Sequence, residues 1–78
     1  MDIAADVTLD CIGKPCPLPV IEVSKAMREL APGQTLLMIA DDPGSDPDMR
    51  AWCDETGHQL VATDHESGIH RFWVRREG

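Results

Sequence analysis

The sequence predicts a two-layer α/β sandwich in the order β-α-β-α-β-β, with two helices packed on one face of a four-stranded mixed sheet. Three observations carry this. Apolar residues recur at helical spacing from Val20 to Leu30, a continuous apolar run ending at Ala40 lies between breakers, and Pro and Gly cut the chain into short alternating elements. A strand-helix-strand unit of this length implies a right-handed crossover. So short a chain closes a core only if both helices share one sheet face.

The elements follow in order. Asp6 to Leu9 alternates Val7 and Leu9 against Asp6 and Thr8, as a short strand does. From Pro17 to Ala31, Val20, Val23, Met27 and Leu30 fall on one helical face, and Pro32-Gly33 ends the helix. Thr35 to Ala40 reads as a central strand covered on both faces. After the Asp41-Asp42-Pro43-Gly44 turn, either Ser45 with Asp48 forms a capping box, or Asp46 caps with Pro47 at the first helical position. The second helix then buries Met49, Trp52, Cys53 and Thr56, and Gly57 ends it in a left-handed conformation. His58 to Thr63 and His70 to Arg75 are two strands joined through Asp64 to Ile69, with Gly68 as the turn residue. If Phe72 and Val74 face the helices, Trp73 points away, and its exposure there would mark a contact surface.

The 78 residues are read as one domain, 1–78, too small for a cleft between domains, so any chemistry sits on an edge, a turn or a helix end. Seven basic against 14 acidic side chains give a net charge of −7, which argues against nucleic-acid or anionic-membrane binding. No apolar run approaches the roughly 20 residues of a membrane helix, and the N-terminus lacks a signal-peptide layout. Three cysteines at irregular spacing are unlike a secreted disulfide framework, so the expected location is cytoplasmic with free thiols.

Lys14-Pro15-Cys16-Pro17-Leu18-Pro19 places a cysteine where the first helix begins. The positive helix end and its free N–H groups favour a thiolate, to which Lys14 adds, and the alternating prolines stiffen the loop. With Cys16 as the N-cap, Pro17 and Pro19 supply no N–H, and Leu18 is the donor nearest the sulfur; a helix starting one or two residues later is the other register. The absence of Cys-x-x-Cys favours nucleophilic sulfur chemistry over dithiol cycling, with Cys11 as a secondary thiol only if the turn folds sharply. Cys53 reads as a core residue. His58, His65 and His70 read as strand residues, and His65 and His70 with Cys11 and Cys16 do not follow zinc spacing, so no metal is expected. The acids Asp41, Asp42, Asp46, Asp48, Asp54 and Glu55 read as a solvated helix start, with an acidic docking surface as the alternative. Lys14, Arg71, Arg75 and Arg76 read as solvated, or as a small basic patch near the thiol.

Leu9-Asp10-x-x-Gly13-x-x-Cys16-Pro17-x-Pro19-Val20, then Ala40-Asp41-Asp42-Pro43-Gly44-Ser45, Gly57-His58-x-Leu60 and Phe72-x-Val74-x-Arg76, resembles the TusA/SirA family of sulfur carriers with its Cys-Pro-x-Pro motif. The resemblance runs from about residue 7 to residue 76. It implies a two-layer α/β fold and a sulfurtransferase activity in which Cys16 carries sulfane sulfur as a persulfide, with no other cofactor. Gly13, Lys14, Pro17 and Pro19 are the supporting motif positions. The implied donors are a cysteine desulfurase or a rhodanese; the implied acceptors are a DsrE-like or tRNA-thiolating protein, serving tRNA thiolation, cofactor assembly or dissimilatory sulfur oxidation. Lys14 and Pro15 depart from the family, which usually has Leu after the glycine.

The mechanism expected from thiol exchange is attack by the Cys16 thiolate on the outer sulfur of a donor persulfide, then transfer to an acceptor thiolate. A monomer making brief heteromeric complexes suits it. Two other readings stand beside this one: a protein-binding module docking through Trp73 and the acidic stretch with a redox-sensitive Cys16, and a dithiol oxidoreductase using Cys11 and Cys16.

Overall fold

The computed structural model describes residues 3–77. Its elements are β1 (Val7–Cys11), α1 (Leu18–Met27), β2 (Thr35–Ala40), α2 (Ser45–Thr56), β3 (Gln59–Glu66) and β4 (Ile69–Arg75). The sheet order is β1-β2-β4-β3, with β1 parallel to β2 and the other pairs antiparallel. Both helices pack on one face of this mixed sheet, as the alternation of elements predicts. Leu36, Met38, Ala40, Phe72 and Val74 point toward them and meet Val23, Met27, Leu30, Met49 and Cys53 in one buried cluster.

Several elements depart from their expected form for local reasons. α1 stops at Met27 rather than running to Ala31, because its last turn tightens: the amides of Arg28, Glu29 and Leu30 each donate three residues back. The side chain of Arg76 caps the carbonyls at this end, donating from Nη1 to Met27 O at 2.8 Å, which also accepts Leu30 N, to Arg28 O at 3.3 Å and to Leu30 O. β2 is central but not covered on both faces, since Leu37 and Ile39 on the far side stay half-buried while Leu36, Met38 and Ala40 are enclosed.

At the start of α2 neither expected cap forms. Gly44 holds the N-cap position, and the Ser45 hydroxyl donates to Asp42 O at 2.7 Å. Gly57 does end the helix in the left-handed region, at φ 82°. Thr56 is exposed rather than part of the apolar face, and its hydroxyl donates to Trp52 O.

The hairpin between β3 and β4 is tighter than expected. Both strands extend until Glu66 pairs with Ile69, leaving only Ser67 and Gly68 in the turn at φ 52° and 80°, the pair of positive values a two-residue turn of type I′ requires. A register shift between Leu60 and Ala62 leaves Val61 exposed. Trp73 points away from the helices as expected, yet it is only 3% exposed. Leu37 and Ala62 flank it in register and the Arg71 guanidinium lies 5.8 Å from its ring centroid, so the indole is covered and presents no contact surface.

Candidate functional site

Because β1 and β2 are parallel, Cys11 and Ala40 finish side by side, and the two loops that leave them meet above the same sheet edge. The first carries Cys16; the second carries the acids. Asp41 Oδ1 accepts the Gly13 amide at 2.9 Å, and Asp42 accepts the Cys16 amide through Oδ2 and the Gly44 amide, at 3.0 Å, through Oδ1. Lys14 N donates to Cys11 O at 3.1 Å, closing the turn after β1, and Pro15 O accepts Leu18 N. The Cys16–Pro17 peptide is cis. Asp42 thus bolts the cysteine loop to the start of α2, and the two amides hold its carboxyl below the usual carboxylate range.

Gly44 makes the close approach possible. A Cβ there would lie 3.2 Å from Cys16 Cβ and 3.6 Å from its sulfur. With no side chain in the way, the first turn of α2 comes up beneath Cys16, and Asp48 in that turn reaches the thiol: Cys16 Sγ donates to Asp48 Oδ2.

This reverses the electrostatics expected from the sequence. The N-cap of α1 is Pro17 rather than Cys16, Pro17 and Pro19 carry no N–H, and the Leu18 amide is spent on Pro15 O. The sulfur therefore gains little from the helix end. The hydrogen bond to Asp48, the loss of some water, and the charges of Asp48 and Asp42 together raise the Cys16 thiol above its ordinary value. These outweigh any pull from Lys14, whose charge lowers the Cys11 thiol.

Cys16 is nevertheless the exposed thiol of the three. Cys11 and Cys53 are buried in the core and all three are unpaired. Burial raises the Cys11 thiol and pushes Cys53 up to about 11. Pro19 is buried and anchors the first turn of α1, while Leu18 and Ile21, three apart, each stay 42% exposed.

The acidic stretch is not simply solvated. Asp41 and Asp42 tie the cysteine loop, Asp48 meets the sulfur and Asp46 pairs with Arg50 at 2.8 Å. Nor do the basic residues gather at the thiol, for Arg71 is held by Asp64 at 2.7 Å and Arg76 by the end of α1. His65 and His70 stack at 4.1 Å, and His58 Nδ1 accepts the Glu77 amide. Among the described residues, no three His, Cys, Asp or Glu side chains are grouped to hold a metal, and no helix is long and apolar enough to cross a membrane.

A family model described as the sulfurtransferase TusA matches residues 7–76, which takes in every strand, both helices and the Cys16 loop. The chain belongs to the TusA sulfurtransferase family. The crystal structure of the SirA-like protein from Desulfitobacterium hafniense is similar, with a TM-score of 0.79 and 25% identity over 92% of this chain and 99% of that one. Membership of the TusA family suggests a sulfur-carrier role and exchange with sulfur-relay partners.

Proposed function

We propose that this protein carries sulfane sulfur as a persulfide on Cys16, accepting it from a donor protein and passing it to an acceptor thiol. The observation that supports this most directly is the contrast among its three thiols. In a chain of a sulfurtransferase family, two are enclosed in the core and one stands exposed on a loop anchored at Gly13 and Cys16 by side chains from a second loop. A loop held in this way loses little freedom when a partner docks.

The reaction needs one protein thiol and no resident cofactor. The Cys16 sulfur bonds to the outer sulfur of a donor persulfide, the donor's S–S bond breaks, and the donor leaves as a thiol; an acceptor thiolate later repeats the attack on the outer sulfur of Cys16. Leu18 and Ile21, exposed on the first turns of α1 beside the cysteine loop, give a docking partner apolar surface close to the thiol. A cysteine desulfurase or a rhodanese fits the donor role, and a DsrE-like or tRNA-thiolating protein the acceptor role.

Intact mass after incubation with a cysteine desulfurase and cysteine, or a rhodanese and thiosulfate, tests the proposal. A reducible gain of one sulfur atom, about 32 Da, is expected in the wild type, in Cys11→Ser and in Cys53→Ser, and not in Cys16→Ser. A folded protein that gains no sulfur from either donor would overturn it in favour of a binding module.

A further inference from the structure

We propose that Asp48 is a latch on Cys16, holding the sulfur of the empty carrier as a neutral thiol and so keeping it unreactive until the Asp48 charge is neutralised or drawn away. This deepens the carrier reading and rests on it. The geometry is built by three elements at once. Gly44 lets the start of α2 pass under Cys16, Asp42 fixes the Cys16 backbone, and Asp48, on the same helix turn that this contact brings forward, accepts the S–H.

The charges that dominate at the sulfur act in one direction. Asp48 of α2 and Asp42 of the preceding turn both disfavour a thiolate, His70 of β4 acts on Asp42, Lys14 of the loop acts on Cys11, and the first turn of α1 carries no acidic residue. Arg50, the nearest cation along α2, is engaged by Asp46. The hydrogen bond can exist only while the sulfur keeps its proton, because two anions in contact repel. Only the thiolate attacks a persulfide, so the same contact that positions the sulfur also restrains it.

Loading then follows the balance Cys16–SH plus R–S–SH giving Cys16–S–SH plus R–SH. The Cys16 S–H bond and the donor S–S bond break, a new S–S bond forms, the proton ends on the departing thiol, and there is no net oxidation. Removing the Asp48 charge accelerates the first of these steps.

Two measurements on the full chain separate this latch from the carrier reading itself. The first is the pH profile of Cys16 alkylation by iodoacetamide, followed by peptide mass, in the wild type, in Asp48→Asn and in Asp54→Asn, an exposed carboxylate of the same helix, as a control for charge. Asp48→Asn is expected to react roughly two- to fivefold faster at pH 7, the size of an exposed, screened charge interaction, with its profile displaced to lower pH and Asp54→Asn unmoved. Coincident profiles for Asp48→Asn and the wild type, or an equal displacement in Asp54→Asn, would overturn the latch. Should Asp48→Asn fold poorly, thiolate absorbance of the wild type decides: a Cys16 midpoint at or below the free-thiol value of about 8.5 overturns it. The second is loading by glutathione persulfide, which needs no protein surface. Faster loading of Asp48→Asn supports the latch, equal loading defeats it, and loading of neither protein defeats the carrier reading while the alkylation profile still judges the contact.

Discussion

Replacing Arg76 by Ala tests how the end of β4 holds α1. The residue's backbone pairs with the loop before β2, donating to Gln34 O at 2.9 Å and accepting Gly33 N at 2.8 Å, and these bonds survive the substitution. What is lost is the guanidinium. Its Nη1 faces three carbonyls at the end of α1, but an NH2 group has only two hydrogens, so the contact is counted as two bonds at most. Hydrogen bonds to a charged donor contribute about 1.5–3 kcal/mol each, and water reaches this half-buried group to replace part of that, so a total loss of about 1.5–2.5 kcal/mol is expected. In a domain of this size that lowers the melting temperature by about 9–15 °C. Urea unfolding followed by circular dichroism measures it, as a lower midpoint at unchanged slope. Arg76→Lys, which keeps a charge but not the planar donor, is expected to recover part of the loss. An Arg76→Ala protein within about 0.5 kcal/mol of the wild type would mean that the guanidinium does not hold the end of α1, since that is the range of a surface substitution that touches nothing.

Asp42→Ala should free the cysteine loop without disturbing the core: amide exchange at Cys16 and Gly44 rises sharply while exchange in β2 and β4 holds, and unchanged exchange at both would mean that the carboxylate does not anchor the loop. Because the folded protein depresses the Asp42 carboxyl, its contribution is present above the unfolded value of about 3.9 and fades as pH falls through the folded one, a dependence absent from Asp42→Ala. Cys53 behaves in the opposite sense. Its folded thiol, raised to about 11, keeps its proton where an unfolded thiol has lost it, so stability falls as pH rises from about 8.5 toward 11. Melting curves across that window should slope less in Cys53→Ala, and parallel slopes would show that Cys53 does not titrate as its burial dictates.

Much of the architecture was legible along the chain because each element is written in local chemistry. The three- and four-residue spacing of Val20, Val23, Met27 and Leu30 requires a helix, Gly57 ends one, and alternation through Phe72, Trp73 and Val74 assigns their faces, all without knowledge of distant residues. Cys16 was legible too, as the thiol set between prolines, and its motif carried the family resemblance that the match over residues 7–76 bears out. The bounds of α1 were not, because Arg76, 49 residues after Met27, takes part in ending the helix.

The electrostatics of the thiol belong wholly to the tertiary structure. Read locally, Cys16 faces a helix start and a lysine, and both favour a thiolate. Folded, the parallel pairing of β1 with β2 brings the loop after each strand to one edge, and carboxylates 26 and 32 residues away become the sulfur's neighbours. The Asp-Asp-Pro-Gly turn after a strand parallel to β1 was the available signal, since parallel neighbours release their loops on the same side. Which sulfur stands exposed, and on what scaffold, could be read along the chain; the charge around it could not, because a thiol's acidity follows the groups nearest in space and not those nearest along the chain.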